Sequence, residues 1–283
     1  MEGIKLMEKE KITRILTSVI GLPFITALLI FANTTVMDIF TAIIALISMY
    51  EYFHCFKSTN KANPSEFLGY ILCILIAFTH MVKGEILIQI IVLLIPTCIL
   101  ILFVEFILSN GKKTVKDISI TMLGICYIPL MLIYLSFISN MNLGTGLTGR
   151  ILIWFVLIAS WGSDVFAYTI GRHFGKHKLT KISPKKTVEG SIAGIIGATV
   201  LGIIYAVLCN NLWGTEINYL LIGVIVAVLS VVGQIGDLAA SSIKRYCEIK
   251  DFSDLLPGHG GMLDRIDSII FVLPFAFMLL NLL

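Results

Sequence analysis

Long apolar runs separated by short polar stretches dominate the chain, and they predict membrane helices. A helix needs about 20 mostly apolar residues to cross the hydrocarbon core of a bilayer. Nine runs approach that length: Ile15–Ala32, Val36–Phe56, Phe67–Val82, Ile86–Phe106, Ile118–Ser139, Ile151–Ile170, Ser191–Asn210, Ile217–Gly236 and Ser268–Leu283. The third and the last are the shortest. The first is too long for the apolar part of a secretory leader and closes without a small-residue cleavage pattern, so it reads as a retained helix. No linker, low-complexity stretch or repeat interrupts the series. The expected fold class is therefore all-α integral membrane: a polytopic helical bundle of about nine transmembrane helices in a single domain. Residues 1–150 read mainly as scaffold and lipid-facing helices, and residues 151–283 as the catalytic half.

Composition agrees with lipid as the solvent. The chain is 57% hydrophobic and 14% charged, and its mean hydropathy is +0.95. Ordinary soluble domains carry roughly 25% charged residues. Placement of the charges orients the helices. With nine spans and a cytoplasmic N-terminus, 19 of the 21 Lys and Arg residues fall on one side, and only Lys83 and Arg150 fall on the other. That asymmetry is what the positive-inside rule requires. It predicts a multi-pass membrane protein, N-terminus in and C-terminus out. The six cysteines (Cys55, Cys73, Cys98, Cys126, Cys209, Cys247) sit mostly in apolar runs without C-x-x-C spacing and read as small hydrophobic filler. Glu51 and Glu105, at span ends, read as interfacial carboxylates that reach for the headgroup layer.

Polar residues gather after Trp161. Asp164 lies inside the sixth span, where an ionised carboxylate costs roughly 2.5–3.5 kcal/mol and so normally faces a cavity, a cation or a partner. The next loop holds Arg172, Lys176, Lys178, Lys181, Lys185 and Lys186, with His173 and His177. Within it, Ser183-Pro184 signals a turn, and Lys185, Lys186 and Thr187 form a cationic and hydroxyl cluster suited to phosphate oxygens. GRHFGKH lacks the glycine spacing and the Ser or Thr of a P-loop. Gly190, Gly194, Ala198 and Gly202 form a small-residue stripe for close helix packing, within the protomer or across a dimer.

The stretch from Asp237 to Asp267 is the most informative. Asp264 and Asp267 are three residues apart, which places their carboxylates on one helix face. Two close carboxylates repel unless a cation separates them. Mg²⁺ suits such a pair together with substrate phosphates, and Asp237 could complete the set. Lys244, Arg245, Lys250 and Arg265 lie on the same side of the membrane. His259 stands in a P-G-H-G-G turn whose glycines would let backbone N–H groups approach an anion. Together these features predict phosphoryl-type chemistry at the cytoplasmic face.

From Ser241 to Asp267 the pattern S-x-I-K-R-x4-K-D-x-S-x2-L-P-x-H-G-G-M-x-D-R-I-D resembles the signature of the phosphatidate cytidylyltransferase (CDP-diglyceride synthase) family. W-x-x-D-x-x-A-Y-x-x-G-R-x-F-G-K, from Trp161 to Lys176, and S-P-K-K-T-x-E-G, from Ser183 to Gly190, are similar to it as well. The resemblance covers about residues 150–283; the N-terminal half matches in hydropathy and length only. It departs at Ala240, where many members carry an acid.

What the resemblance implies is nucleotidyl transfer in phospholipid biosynthesis: CTP and phosphatidate give CDP-diacylglycerol and pyrophosphate. It implies Mg²⁺ on Asp237, Asp264 and Asp267, with room for a second, monovalent cation. Lys244, Arg245, Lys250, Asp251, His259 and Arg265 would complete the catalytic set, His259 at the pyrophosphate. Asp164, Arg172, Ser183, Lys185, Lys186, Thr187, Glu189, Ser241, Gly260 and Gly261 would bind substrate. Partners would be CTP, phosphatidate in the bilayer and, by analogy, a second copy in a homodimer; no nucleic-acid partner is expected. Three rival readings differ in what they require of the sequence. A transporter would show polar, interrupted helices in both halves, and here they lie in one. The D-x2-D-G-x2-A-R-x8-G-x3-D-x3-D hallmark of CDP-alcohol phosphotransferases is absent. A cytidylyltransferase acting on an isoprenoid phosphate would look alike.

Overall fold

A computed structural model describes Val19, Gly21 and residues 23–82, 84–144 and 146–283. The charged N-terminal stretch, the start of the first expected span and Lys83 lie outside the described residues. Regular structure among the described residues is helical, apart from isolated bridges. Residues 23–31 are helical (α1). They are followed by α2 (Thr34–Ser58), α3 (Glu66–Leu75), a 3₁₀ run (Ile76–Met81), α4 (Gly84–Leu108), α5 (Val115–Tyr127) and α6 (Pro129–Ser139). Then come α7 (Gly149–Leu157), a π-helical turn (Ile158–Gly162), α8 (Ser163–Phe174), α9 (Val188–Trp213), α10 (Tyr219–Tyr246) and α11 (Leu263–Leu280).

Among the described residues, six stretches are long and apolar enough to cross a membrane: Thr34–Ser58, Gln89–Leu108, Val115–Ser139, Gly149–Phe174, Val188–Trp213 and Tyr219–Tyr246. They coincide with six of the nine expected runs. The third expected run is α3 continued by the 3₁₀ helix, which gains length per residue because its rise is about 2.0 Å against 1.5 Å. The last run falls on α11, which at 18 residues is short and opens with Asp264, Arg265 and Asp267.

The contacts divide the chain into two compact units. One comprises Met1–Ser136 with Tyr246–Arg265, and the other Phe137–Arg245 with Ile266–Leu283. Tyr246–Arg265, the larger part of the signature, therefore groups with the N-terminal helices.

In the first unit α2 is the hub. Met49, Tyr52 and Phe53 are fully buried, and glycines let its neighbours approach. A Cβ on Gly124 of α5 would stand 2.6 Å from the Tyr52 ring, and one on Gly69 of α3 would stand 2.8 Å from Phe53. Tyr52 also donates to the Ile120 carbonyl at 3.1 Å. At the other end of α2, buried Asp38 accepts from the Thr79 hydroxyl and the His80 backbone N–H, both at 2.9 Å. In α4 only 11% of the spanning window is buried, as for a helix that faces lipid. Glu105 accepts from Ser65 Oγ at 2.6 Å and lies 3.7 Å from Lys113, so it ties a loop as well as facing outward.

In the second unit the small-residue stripe of α9 is filled inside the protomer. A Cβ on Gly190 would lie 2.7 Å from the Ala167 carbonyl, and one on Gly194 would lie 2.8 Å from that of Ser163, both on α8. Gly202 abuts Val226 of α10. Gly236 plays the same part between α10 and α11, where an added Cβ would lie 2.8 Å from the Asp267 carbonyl. All six cysteines are free, and five are buried.

Candidate active site

In the second unit the basic loop between α8 and α9 folds as a small hairpin. Lys178 bridges Thr187, the Leu179 N–H donates to the Lys186 carbonyl at 2.9 Å, and the Val188 N–H donates to that of His177 at 2.9 Å. The tip is a turn closed by Lys186 N–H to Ser183 O at 3.0 Å, with Pro184 pre-setting the backbone at its second position. Thr187 caps α9 by accepting from the Gly190 N–H at 3.1 Å. Glu189 holds the hairpin base. Its carboxylate accepts from the Lys176 and His177 backbone N–H groups at 3.1 and 3.2 Å and contacts His177 Nδ1 at 2.5 Å. Glu189, expected at the substrate, is thus engaged in building the loop.

The hairpin places Lys186 in an ion pair with Asp237. A cavity of about 290 Å³ opens there, lined by Asp164, Tyr168, Ser183, Lys185, Lys186, Thr187, Gln234 and Asp237 among others. Gln234 ties three helices at its wall. Its amide donates to Ser163 Oγ at 3.0 Å and to the Ser191 carbonyl at 3.1 Å, and it accepts from the Ser191 hydroxyl. Asp164 reaches the cavity just after the π-helical turn, a local widening that recurs at functional sites. Along α10, Asp237, Ser241 and Lys244 lie at i, i+4 and i+7, on one face. The Ser241 hydroxyl donates to Asp237 at 3.4 Å. Lys244 and Asp267 are buried, each 8% exposed. Asp267 feels the charges of Asp237, Lys244 and Asp164. The close approach at Gly236 explains how α11 brings Asp267 so near α10. Arg172 and Arg245 are exposed, and Arg172 reaches the Tyr168 hydroxyl at 3.3 Å. Ala240 is fully buried.

In the first unit the signature loop is bound to its own scaffold. Asp264 Oδ2 accepts from the Phe252 N–H at 2.8 Å and the Gly261 N–H at 3.0 Å. The P-G-H-G-G turn closes with His259 N–H to Leu256 O at 2.7 Å and Leu256 N–H to Gly260 O at 2.9 Å. Gly258 and Gly260 have φ of 77° and 78°, the left-handed region that favours glycine. The N–H groups of His259 and Gly261, expected to approach an anion, are therefore used inside the loop. Lys250 and Asp251 are exposed and 3.9 Å apart; Arg265 is also exposed.

Among the described residues no three His, Cys, Asp or Glu side chains converge to hold a metal. Asp264 Oδ2 is engaged by backbone donors in the first unit, and Asp267 feels the charge of Asp237 in the second.

Sequence reasoning missed Glu51. It is 1% exposed rather than interfacial. It accepts from Ser253 Oγ at 2.5 Å, Met262 N–H at 2.9 Å and Leu263 N–H at 2.7 Å. Its only signal in the sequence is a lone carboxylate inside an apolar run.

A helical membrane protein with lysines and carboxylates around one cavity is equipped to bind phosphate-rich substrates. The comparisons name the class. The cytidylyltransferase family profile matches residues 12–283. The chain is 38% identical to a phosphatidate cytidylyltransferase of Bacillus subtilis (strain 168) over 185 residues, which is 65% of this chain and 66% of that protein. It is 32% identical over 268 residues to one of Staphylococcus haemolyticus (strain JCSC1435), covering 94% and 98%. A Staphylococcus aureus (strain COL) protein of the same name is 32% identical over 271 residues, again 94% and 98%. The chain belongs to the cytidylyltransferase family and is a nucleotidyltransferase.

Proposed function

We propose that this enzyme converts CTP and phosphatidate to CDP-diacylglycerol and pyrophosphate, a step of phospholipid biosynthesis. The name of its relatives and the cavity chemistry support the same reading. The observation that carries it is the Lys186–Asp237 pair facing the cavity, with Asp267 and Lys244 in electrostatic contact with each other.

The reaction needs little acid–base help. A phosphomonoester has a second pKa near 6, so the phosphatidate oxygen is largely ionised at neutral pH. That oxygen forms a bond to the α-phosphorus of CTP in line. The bond from the α-phosphorus to the bridging oxygen breaks, and pyrophosphate leaves with the electron pair. The demand on the protein is positioning and charge neutralisation. Lys185, Lys186 and Lys244 neutralise phosphate oxygens, Ser183 and Thr187 offer hydroxyls, and Asp164 and Asp237 orient the lysines.

The residues fit Mg²⁺ in a two-carboxylate arrangement. Mg²⁺ takes hard oxygen donors and commonly uses one or two carboxylates beside substrate phosphates. Asp237 and Asp267 would hold it, and when bound it would neutralise and align the triphosphate. Asp264 then acts on the loop that it hydrogen-bonds.

The charge asymmetry supports about nine spans with the N-terminus and the site in the cytoplasm, in the cell membrane. A homodimer stays in the proposal on family analogy, because the α9 stripe that also suggested it is filled within the protomer.

The decisive experiment supplies labelled CTP to the purified protein with phosphatidate or with polyprenyl phosphate. CDP-diacylglycerol is the expected product. Exclusive labelling of the polyprenyl lipid would overturn the substrate assignment.

A further inference from the structure

The signature loop that carries Asp251, His259, Gly260 and Gly261 into α11 has no long regular element. Side chains must therefore take the backbone N–H groups that hold its shape.

Two buried carboxylates do so within the first unit. Asp264 takes the N–H groups of Phe252 and Gly261. Glu51, from the C-terminal half of α2, takes the next two N–H groups, Met262 and Leu263, and the Ser253 hydroxyl. Met262 and Leu263 open α11, so these donors have no partner inside the helix. A carboxylate there also meets the positive end of the helix dipole. Glu51 is 1% exposed, and its fit is tight: a Cβ on Gly261 would lie 2.7 Å from either Glu51 oxygen. The glycine at 261 is thus required by Glu51, since that position has no positive φ.

We infer that Glu51 is a positioning residue for cytidylyl transfer, clamping the signature loop in its working geometry through Ser253, Met262 and Leu263. It touches no reacting atom. It acts through the backbone that carries Asp264 and His259. An amide in its place would turn an N–H₂ group toward backbone N–H donors, leaving at least one of them without an acceptor. The inference rests on the reaction proposed above.

The test separates the two ideas. Hydrogen exchange on the full-length protein in detergent reads the clamp without any turnover. In Glu51→Gln the Met262 and Leu263 amides should exchange about tenfold faster or more, with amides in mid-α10 unchanged. Steady-state kinetics read the consequence: kcat falls about tenfold or more, while KM for CTP and for phosphatidate stays within about twofold. Ser253→Ala guards against misfolding, because it removes one hydroxyl at a half-buried loop position. It should lower kcat a few-fold with the melting temperature unchanged. Unaltered exchange in Glu51→Gln, or Ser253→Ala at wild-type kcat, overturns the clamp. If the wild-type protein makes no CDP-diacylglycerol, the reaction reading fails, and the exchange measurement still decides whether Glu51 holds the loop.

Discussion

Lys186 and Asp237 illustrate how a side chain's partner decides its work. Their pair holds a lysine at the cavity while leaving its remaining protons free to meet phosphate. Lys186→Ala should lower kcat/KM for CTP by roughly 100-fold, the order seen when one preorganised charge-stabilising donor is removed. Steady-state rates at varied CTP check this. Asp237→Asn and Asp267→Asn should each lose about the same factor and should raise the Mg²⁺ concentration needed for half-maximal rate. Near wild-type rates and Mg²⁺ dependence in both would remove the two-carboxylate metal assignment. Asp264→Asn should differ from them. Its effect should fall on loop order, visible as faster exchange of the Phe252 and Gly261 amides.

Helices meet closely here because glycines let them. Gly194→Ala sets a methyl 2.8 Å from the Ser163 carbonyl, a backbone atom that cannot swing away. Overpacking of this kind costs about 1–3 kcal/mol, so a lower unfolding midpoint in detergent is expected. Thr187→Ala removes the α9 cap and should cost about 1 kcal/mol, with a further loss of activity because the same residue lines the cavity. What hydropathy revealed at this scale was where chain enters and leaves lipid. Val36–Phe56 became Thr34–Ser58, and Ser191–Asn210 became Val188–Trp213, each extended by polar caps that a hydropathy window discounts. The third run was less legible, because a switch from α to 3₁₀ geometry leaves hydropathy unchanged. Lys185, Lys186 and Asp237 could be singled out as residues, since charge is rare in this chain. That Lys186 meets Asp237, that Glu189 builds a loop and that Glu51 is buried could not be read. Each depends on contacts between residues far apart in sequence, and a lone carboxylate in an apolar run looks the same at an interface or in a core.

Across the whole molecule the charge asymmetry makes a topological prediction. A cysteine placed at Lys181, in the basic hairpin, should react with a membrane-impermeant maleimide only when the cytoplasmic face is open. A cysteine placed at Arg150 should react in intact cells. The reverse pattern would invert the proposed orientation. The chain's division into two contact units adds a point about the signature itself. Its continuous sequence is shared between them: Tyr246–Arg265 groups with one unit, and Ser241–Arg245 and Ile266–Asp267 group with the other.

The π-helical turn at Ile158–Gly162 makes Asp164 depend on a residue count. An α-helix advances about 100° per residue, and a π-turn holds one residue more than the regular spiral needs. Deleting a single residue from that turn would leave α7 and α8 as one uninterrupted apolar helix, still long enough to cross lipid. The flanking segments would keep step with one another, but the widened turn that stands just before Ser163 and Asp164 would be gone. A one-residue deletion there should therefore insert and assemble yet lose cytidylyl transfer, whereas a substitution in the same turn, such as Ile158→Leu, should pass almost unnoticed. For this stretch of chain, length is the constrained quantity and side-chain identity the tolerant one.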